Sequence, residues 1–319
     1  MRAVWLKRFG DPSVLVPGEA PDPVPGPGQV LIDVAYANIT FVETQFRATG
    51  AGPLRATPPL IPGNGVGGTV GALGDGVDPA LLGRQVVTGT GGSGGYAEQA
   101  AVPAEGLFAV PDGLALDVAV ALLADGRTAV MQLRAAEVGP GDRVLVEAAG
   151  GGVGSLLVQL AKAAGATVVA AAGGARKLEL ARELGADHAF DYRESDWVER
   201  IEREVGGVDM VFDGVGGAIG RAAFGLLRPG GRMDSFGLAG GEWSAIPEER
   251  AAARGVRLVG ADRSPEQLRA CTEYAFAEAA AGRLRPVIGQ RFPLERAAEA
   301  HAAIESRATL GKTLLETGR

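Results

Sequence analysis

From residue 143 to residue 237 the sequence alternates short apolar runs with amphipathic segments, and this alternation limits the fold more than any other feature. The apolar runs have the length of strands, and the segments between them repeat with the period of a helix. This pattern is typical of a parallel sheet built from βαβ units. The predicted elements, in chain order, are RVLVEAA, SLLVQLAKAAG, TVVAAAG, RKLELARELGA, HAFDY, WVERIERE, VDMVFD, AIGRAAFGLL and RMDSFG, and GVRLVG (255–260) is predicted to close the sheet.

The flanking segments have a different character. Residues 1–120 carry most of the prolines and several short alternating or β-branched runs, which predict a compact, mostly β unit. Residues 116–136 predict one helix, and the chain after residue 262 predicts a helix, a short strand, a second helix and a final strand. Because 319 residues exceed the usual size of one hydrophobic core, we expect two domains. Periodicity leaves open on which domain the C-terminal piece docks.

Charge and cysteine content exclude several classes of protein. A net charge of −7 leaves no general basic face for nucleic acid. The single cysteine, Cys271, excludes an intrachain disulfide and any zinc site with two thiolates, which suits a reducing compartment. The N-terminus shows no apolar signal segment, and no apolar run approaches the roughly 18 residues of a membrane span. We therefore expect a cytoplasmic protein that binds neither membrane nor nucleic acid.

Glycine makes up 50 of the 319 residues, so glycine-rich patterns arise by chance. Two stretches match the pattern G-x-G-x-x-G strictly, GNGVGG (63–68) and GTGGSG (89–94). Both lie between proline-rich or β-rich segments, and neither opens a predicted helix. Neither can therefore align backbone N–H groups and a helix dipole on a phosphate. We expect both stretches to be structural.

The stretch EAAGGGVGSLLVQLAK (147–162) is a weaker match in letters but lies between a predicted buried strand and an amphipathic helix. In a dinucleotide-binding turn, Ala149 would tolerate the tight turn and Gly151 would let the backbone approach a pyrophosphate. Gly154 would let the helix lie close on the strand. The alternative is a βαβ turn that needs small residues and binds no ligand. The context favours a nucleotide site.

The end of the second predicted strand bears on which dinucleotide binds. NAD sites usually present an acid there, about 20 residues beyond the loop, to accept the ribose 2′-hydroxyl. This chain instead has AAGG (171–174) followed closely by Arg176 and Lys177. An acid would repel a 2′-phosphate, whereas a glycine turn beside two cations can receive one, so the sequence favours NADPH. The alternative for these two cations is an exposed first helical turn.

Several further stretches share their order and spacing with one family. They are FVETQFRATG (41–50), GGYAEQAAVPAEGLFAVPDGL (94–114), GRTAV (126–130), the loop at 147–166, RKLELARELGADHAFDY (176–192), DGVGG (213–217), LLRPGGRMDSFG (226–237) and PLERAAEAHAAIESRATLGKTLLE (293–316). Over nearly its whole length the chain resembles the zinc-free, zeta-crystallin-like quinone oxidoreductases of the medium-chain dehydrogenase/reductase superfamily. The resemblance implies an α/β fold with a Rossmann doubly wound parallel sheet in residues 122–262. It also implies a GroES-like, mostly β catalytic domain in residues 1–121 and 263–319, and a homodimer joined through the edges of the Rossmann sheets.

The resemblance also implies roles for individual residues. The pyrophosphate would meet Gly151, Gly152, Val153 and Gly154. The adenosine 2′-phosphate and its ribose would be held by Gly173, Lys177 and Tyr192, although Tyr192 taken alone reads as a strand-end packing residue. The nicotinamide half would lie along Thr128, Phe236 and Leu238.

The candidate chemistry needs no metal. Zinc alcohol dehydrogenases of the same superfamily use thiolate and imidazole ligands to polarise an alcohol oxygen. This chain has one cysteine and two histidines, His188 and His301, for which a structural role is the simpler interpretation. GNGVGG stands where the zinc enzymes carry a GHE-type ligand motif. Without a Lewis acid, the easiest hydride acceptors are quinones and α,β-unsaturated carbonyls, because conjugation spreads the charge left by hydride addition.

The polar side chains expected near such an acceptor are Asn38, Thr40 and Gln45, with Arg47, in YANITFVETQFR. Each is otherwise an ordinary strand or turn residue. The family often places asparagine near Thr40, tyrosine near Gln45 and an acid near Gly65, and this chain has none of these. Substrate identity and the protonation route therefore stay open.

Three functions remain open from the sequence. The first is an NADPH-dependent reductase of small-molecule quinones or enones. The second is an enoyl-thioester reductase, for which Arg47 and Arg55 hint at a basic entrance. The third is a regulatory protein that binds NADPH without turnover. No tyrosine begins a Tyr-x-x-x-Lys pair and no G-x-S-x-G stretch lies between a strand and a helix as a nucleophile elbow, which sets aside short-chain reductases and Ser–His–Asp hydrolases.

Overall fold

A computed structural model describes residues 1–52 and 55–318, which alternate between strands and helices. The strands are β1 (Arg2–Leu6), β2 (Leu15–Glu19), β3 (Gln29–Ile39), β4 (Gly65–Leu73), β5 (Gln85–Gly89), β6 (Gln99–Pro103), β7 (Phe108–Ala109), β8 (Arg143–Glu147), β9 (Thr167–Ala172), β10 (His188–Asp191), β11 (Val208–Asp213), β12 (Leu227–Ser235), β13 (Arg257–Val259), β14 (Ile288–Pro293) and β15 (Lys312–Glu316). The helices are α1 (Phe41–Thr49), α2 (Leu116–Ala136), α3 (Gly152–Ala163), α4 (Ala175–Glu183), α5 (Trp197–Val205), α6 (Gly217–Gly225), α7 (Glu248–Ala253), α8 (Pro265–Ala280) and α9 (Ala297–Glu305).

The chain divides into two compact units. The first comprises Met1–Ala124 with Phe276–Arg319, and the second comprises Asp125–Ala275. The unit boundaries lie inside helices α2 and α8. The domain limits expected from the resemblance, 1–121 with 263–319 and 122–262, stay a prediction. Among the described helices, none is long and apolar enough to cross a membrane.

The second unit is built on a sheet of parallel strands in the order β10-β9-β8-β11-β12-β13. Strand β8 (RVLVE) is almost entirely buried, as expected of a central strand covered on both faces. Each strand of the sheet is followed by a helix or loop that crosses back, and the strand order reverses between β8 and β11. In doubly wound sheets the ligand binds beside the carboxyl ends of the strands at this reversal. The predicted fold class is confirmed, and so is the role of GVRLVG, which supplies β13.

The core of the second unit lies between this sheet and its helices. Strand residues such as Leu145, Val169 and Met233 pack with Ile201 of α5 and Phe224 of α6, and all of these side chains are buried. The core therefore fixes the sheet beneath the loops that follow its strands.

The first unit contains a sheet in the order β14-β15-β3-β4-β5-β7, with β6 also paired to β3. Strand β3 buries alternate residues along most of its length, because one face of the sheet covers the core of this unit. Strand β15 runs antiparallel to β3 and places Leu314 opposite Asn38. The C-terminal strand thus joins the first unit, which answers the question that periodicity left open.

The stretch GNGVGG is used for close packing. Gly63 has φ 109°, and a Cβ there would lie 2.6 Å from Cδ1 of Tyr96. A Cβ on Gly67 would meet Val120, and one on Gly68 would meet the carbonyl of Asp33. The stretch enters strand β4 rather than a helix. Its glycines therefore have a structural reason that is independent of any phosphate.

Candidate functional site

The loop after β8 turns sharply into helix α3. Ala148 has φ 50°, and the N–H of Gly151 donates to the Ala148 carbonyl at 2.8 Å. Gly151 is the N-cap of α3, so the helix begins within the glycine run. Ala149 is a central residue of the turn that the hydrogen bond from Gly151 to Ala148 closes, as expected; the left-handed residue is its neighbour Ala148, and Ala149 is buried and donates to the carbonyl of Ala171 at 3.2 Å.

The glycines of this loop leave room for different neighbours. A Cβ on Gly154 would lie 2.8 Å from the carbonyl carbon of Ala148 and closer still to its oxygen, so α3 can approach β8 only because Gly154 has no side chain. A Cβ on Gly151 would meet only that oxygen, at 3.2 Å. Gly152 faces the Asp125 carboxylate, and Val153 follows it, half-buried, in the first turn.

This loop fits a pyrophosphate. The first N–H groups of a helix lack intrahelical partners and carry the positive end of the helix dipole. Gly151 places no Cβ beside the start of α3, so a phosphate can approach the backbone closely there, whereas Gly152 and Gly154 leave room for Asp125 and for the Ala148 backbone. The geometry agrees with the predicted binding by residues 151–154, which stays a prediction.

The turn after β9 lies beside this loop. Gly173 and Gly174 follow the strand, and Gly174 has φ 100°. A Cβ on Gly173 would lie 3.3 Å from Cε2 of Tyr192, and one on Gly150 would lie 2.7 Å from Cβ of Lys177. The structure thus gathers the three residues predicted for the 2′-phosphate, Gly173, Lys177 and Tyr192, next to the glycine loop. Arg176 is exposed in the first turn of α4.

Two residues that sequence reasoning missed complete this turn, Asp191 and Arg193. The β9–β10 register places Asp191 opposite Ala172, so the two strands end together. The Asp191 carboxylate accepts from the N–H of Gly174 at 3.0 Å and from the Arg193 guanidinium at 2.6 Å and 2.9 Å. The hydrogen bonds from Arg193 lower the pKa of Asp191 to about 2, although burial alone would raise it. The carboxylate is therefore anionic. Only the position of Arg193 directly after Tyr192 could have signalled it.

A buried pair of acids lies under the reversal of strand order, Glu147 at the end of β8 and Asp213 at the end of β11. Glu147 is fully buried, and burial, reinforced by the charge of Asp213, raises its pKa well above the ordinary value. Asp213 accepts from the N–H of Gly216 at 2.6 Å and from the hydroxyl of Ser235 at 2.9 Å. Glu147 accepts from the N–H of Val215 at 3.2 Å. Glu147 and Asp213 therefore fix the start of the DGVGG loop.

The residues predicted for the nicotinamide half lie on separate elements of the second unit. Phe236 follows β12; its N–H donates to the Asp213 carbonyl at 3.0 Å, and its ring lies 3.1 Å from the Cβ position of Gly214. Leu238 is half-buried in the same segment, and Thr128 is half-buried on α2. The segment after β12 is held along the DGVGG loop, at the carboxyl edge of the sheet. The roles of these three residues stay predictions.

In the first unit, Asn38 and Gly65 are in contact across strands β3 and β4. A Cβ on Gly65 would lie 2.7 Å from Nδ2 of Asn38 and 2.8 Å from Cδ2 of Leu123. Asn38 is 1% exposed, and within residues 1–52 and 55–318 neither polar atom of its amide has a hydrogen-bond partner. An amide buried in this way keeps its full capacity for hydrogen bonds to a ligand. A side chain at position 65 would therefore collide with the Asn38 amide and with Leu123.

Thr40 caps helix α1. Its N–H and its hydroxyl both donate to Glu43, at 2.7 Å and 2.8 Å, and Glu43 also accepts from the N–H of Asn64 at 3.0 Å. The Thr40 hydroxyl proton is therefore already engaged. Gln45 lies half-buried on the same helix, one turn from Thr40. Asn38 lies on strand β3, whereas Gln45 and Arg47 lie on helix α1 rather than in a strand or turn.

The hint of a basic entrance at Arg47 is wrong. Arg47 is 1% exposed and its guanidinium pairs with Glu305 and with the carbonyl of Gly10. Its charge is used inside the first unit, so it cannot attract an anionic substrate. Arg55 is exposed and donates to the Gly52 carbonyl at 2.7 Å.

The buried His301 bonds to a tyrosine. Its Nε2 lies 2.9 Å from the hydroxyl of Tyr96, and burial lowers its pKa to about 3, so the ring is neutral. Cys271 is also buried, on α8. Over the described ranges, no three histidine, cysteine, aspartate or glutamate side chains form a group that could hold a metal ion.

Comparison with known families agrees with this architecture. The family model described as "Alcohol dehydrogenase GroES-like domain" matches residues 26–112. The model described as "Zinc-binding dehydrogenase" matches residues 152–277. Together the two models cover more than half of the chain.

Whole-length relatives narrow the assignment. The chain is 36% identical to a probable quinone oxidoreductase of Schizosaccharomyces pombe, over 98% of this chain and 96% of that protein. It is 33% identical to a 2-haloacrylate reductase of Burkholderia, over 98% of each. Among solved structures, Escherichia coli quinone oxidoreductase complexed with NADPH has a TM-score of 0.91 at 28% identity, covering 99% of this chain and all of that one. A mycobacterial protein complexed with NADPH has a TM-score of 0.90 at 33% identity, covering 99% of both chains. The chain therefore belongs to the zinc-free quinone oxidoreductase family of the medium-chain dehydrogenase/reductase superfamily.

Proposed function

We propose that this protein is an NADPH-dependent oxidoreductase that transfers hydride, without zinc, to a quinone or an α,β-unsaturated carbonyl compound. The relatives named above support this class, because they include quinone oxidoreductases and a reductase of a conjugated acid. The solved structures of two relatives contain NADPH. One observation in this chain carries the proposal: helix α3 begins at Gly151, which places no Cβ beside its first N–H groups, and the glycine turn next to it is flanked by Lys177 and by Arg193, whose partner is Asp191.

The residues of this chain would hold NADPH in two places. The start of α3, with Gly151, Gly152, Val153 and Gly154, would bind the pyrophosphate through backbone N–H groups. The turn at Gly173, with Lys177 and Tyr192, would bind the 2′-phosphate and its ribose. When bound, NADPH supplies the hydride. Thr128, Phe236 and Leu238 are the residues we propose to orient the nicotinamide half.

We propose Asn38 as the side chain that bonds the acceptor's oxygen. Its amide has no partner among the described side chains and backbone groups, whereas the Thr40 hydroxyl is committed to Glu43. A conjugated acceptor needs position and hydrogen bonds rather than a strong acid. Gln45, half-buried on α1, is the second candidate.

Turnover and nucleotide binding can be measured on one sample. We expect NADPH oxidation with benzoquinone or a simple conjugated enone, with a clear preference over NADH. Tight NADPH binding without reduction of any acceptor in a broad panel would instead favour the regulatory alternative. Activity confined to enoyl thioesters would favour the thioester reductase, although the burial of Arg47 removes one of the two residues that suggested it.

Asn38→Leu separates the proposed catalytic role from a structural one. We expect kcat/KM for benzoquinone to fall about tenfold or more, the cost of one lost hydrogen bond, while NADPH affinity stays unchanged. Thr40→Ala is the comparison: it should lower stability by about 1 kcal/mol through loss of the helix cap. Thr40→Ser should retain the cap and the activity. An unchanged kcat/KM in Asn38→Leu would remove Asn38 from the chemistry.

We also propose a homodimer joined through strand β13. This strand ends the parallel sheet and pairs with β12 on one side; within the described chain nothing pairs with its other edge. Leu258, at its centre, is 38% exposed. An unpaired edge with an exposed apolar residue is a template for a second copy. Light scattering should give twice the 32.5 kDa chain mass, and Leu258→Lys should shift it toward one chain.

The cytoplasm is the compartment we propose, because the single cysteine is free and buried and the chain needs no oxidising environment. Cell fractionation tests this. Recovery of the protein outside the cytoplasmic fraction would contradict it.

A further inference from the structure

The end of strand β10 carries an ion pair between Asp191 and Arg193 that packs on the glycine turn after β9. Arg193 reaches back over the turn after β9: a Cβ on Gly173 would lie 3.3 Å from its Cδ, and one on Gly174 would lie 3.2 Å from its Nη2. The stem therefore covers Gly173 and the guanidinium covers Gly174. No residue with a side chain at 173 or 174 would leave this space to Arg193.

The orientation of the guanidinium is fixed by Asp191. Nε donates to Oδ1 at 2.9 Å and Nη2 donates to Oδ2 at 2.6 Å, which is the two-point geometry of a strong arginine–carboxylate pair. The same carboxylate accepts from the backbone N–H groups of Gly174 and Arg193, each at 3.0 Å. Asp191 is thus linked to the glycine turn and to Arg193 at once. Its side chain is only 12% exposed, so this arrangement is built into the fold.

The other edge of the guanidinium remains available. The Arg193 side chain is 64% exposed, and Nη1 makes no hydrogen bond among the described residues. The hydrogen bonds that Asp191 receives occupy both of its oxygens, so the pair presents N–H donors outward rather than carboxylate acceptors. A planar fork of N–H donors suits a phosphate oxygen better than a ribose hydroxyl.

We propose that Arg193, oriented by Asp191, is a ligand of the adenosine 2′-phosphate and a determinant of the preference for 2′-phosphorylated nucleotides. The inference rests on the proposed function, because it takes the turn at Gly173 as part of the nucleotide site. Arg193 binds the phosphate directly, and Asp191 is a positioning residue. The acid at this turn then serves the phosphate by holding the arginine, instead of binding the ribose hydroxyl as an acid does in NAD sites.

The test uses nucleotides that lack the nicotinamide, so that binding is measured apart from turnover. Dissociation constants for 2′,5′-ADP and 5′-ADP are measured by calorimetry on the wild type, Arg193→Met and Arg203→Met. Methionine keeps an unbranched apolar stem over Gly173 and removes the charge. Arg203 is the matched control, since its side chain is 67% exposed and it pairs with an acid on α5.

We expect Arg193→Met to weaken the binding of 2′,5′-ADP about tenfold or more, the range for losing one charge-assisted hydrogen bond. The affinity for 5′-ADP should stay within about twofold of the wild-type value. Arg203→Met should change neither. Asp191→Asn should weaken 2′,5′-ADP by a smaller factor, because the arginine keeps its charge but loses its anchor. Arg193→Lys should restore part of the affinity, since it returns the charge without the fork.

Two results would overturn the proposal. Equal losses for both nucleotides in Arg193→Met would mean that the residue only maintains the turn. An unchanged affinity for 2′,5′-ADP would mean that the pair with Asp191 is a surface contact. Acceptor reduction at saturating NADPH is recorded separately in every variant: if the wild type reduces no acceptor, the proposed function fails while these binding results still decide the role of Arg193.

Discussion

Replacing Gly154 with alanine should destabilise the second unit, because the added Cβ has no space. It would lie 2.8 Å from the carbonyl carbon of Ala148 and 3.0 Å from Cα of Ala149, and nearer still to the Ala148 oxygen. These are backbone atoms at the start of a buried turn, so they cannot rotate away. Ala148 already holds φ 50°, which adds to the cost of moving it.

The expected loss in the free energy of unfolding is about 1–3 kcal/mol, the range for forcing an extra methyl group into a packed site. Gly151→Ala is the matched control in the same loop. Its nearest neighbour, the Ala148 oxygen, is 3.2 Å from the Cβ position, and Gly151 has φ −89°, which alanine adopts readily. We expect its free energy of unfolding to stay within about 1 kcal/mol of the wild type. Alanine has fewer conformations than glycine in the unfolded chain, and this gain offsets the slightly close contact with the Ala148 oxygen.

The two variants should separate stability from binding. Urea unfolding is followed by tryptophan fluorescence in a Trp5→Phe background, so that the signal comes from the second unit, and the change in NADPH fluorescence reports on nucleotide binding. Gly154→Ala should shift the unfolding midpoint. Gly151→Ala should leave the unfolding midpoint unchanged and weaken NADPH binding about tenfold, because its Cβ would occupy the surface proposed for the pyrophosphate. A Gly154→Ala protein as stable as the wild type would refute the packing argument, and unchanged NADPH affinity in Gly151→Ala would mean that the phosphate binds elsewhere.

Three further changes test other features. Lys177→Ala should narrow the preference for NADPH over NADH by roughly 1–3 kcal/mol, measured from the two dissociation constants, and equal losses for both would contradict the 2′-phosphate assignment. Burial raises the pKa of Asp234 from 3.8 to about 7, so its favourable contribution to stability is complete below pH 3.8 and is lost as the pH rises through about 7. Asp234→Asn should therefore gain stability relative to the wild type over that pH window. A difference in unfolding free energy between the two proteins that does not change with pH in urea titrations would count against this. Tyr96→Phe should lower the free energy of unfolding in urea by about 1–3 kcal/mol, because it leaves the buried His301 without its hydrogen-bond partner. Tyr274→Phe, at a residue 39% exposed, should lower it little. Similar losses in both variants would contradict the role of the buried hydrogen bond.

The Rossmann-type unit could be predicted because its information is local. Strand β8 is buried on both faces and reads as an apolar run, and α3 reads as an amphipathic helix, so their order predicts the nucleotide loop between them. Helix α1 is different. It is 9 residues long, and its clearest signal, Thr40 followed by Glu43 three residues later, is a capping pattern that strand-like flanking residues concealed.

The remaining features depend on residues that are distant in sequence. Arg47 is buried because Glu305, 258 residues away, neutralises it, and no local pattern carries that information. Arg193 lies over Gly174 only because β9 and β10 end in register. The left-handed backbone of Ala148, just before the predicted turn residue Ala149, is also a detail that the letters of the loop do not reveal.

The contact between Asn38 and Gly65 has a consequence for how members of this family can exchange residues. An acid at position 65 would place its Cβ 2.7 Å from Nδ2 of Asn38 and 2.8 Å from Cδ2 of Leu123, so introducing one into this chain should fail unless both neighbours give way. The two positions are therefore coupled through packing, and a chimera that takes β3 and β4 from different proteins should disturb the pocket that holds the Asn38 amide.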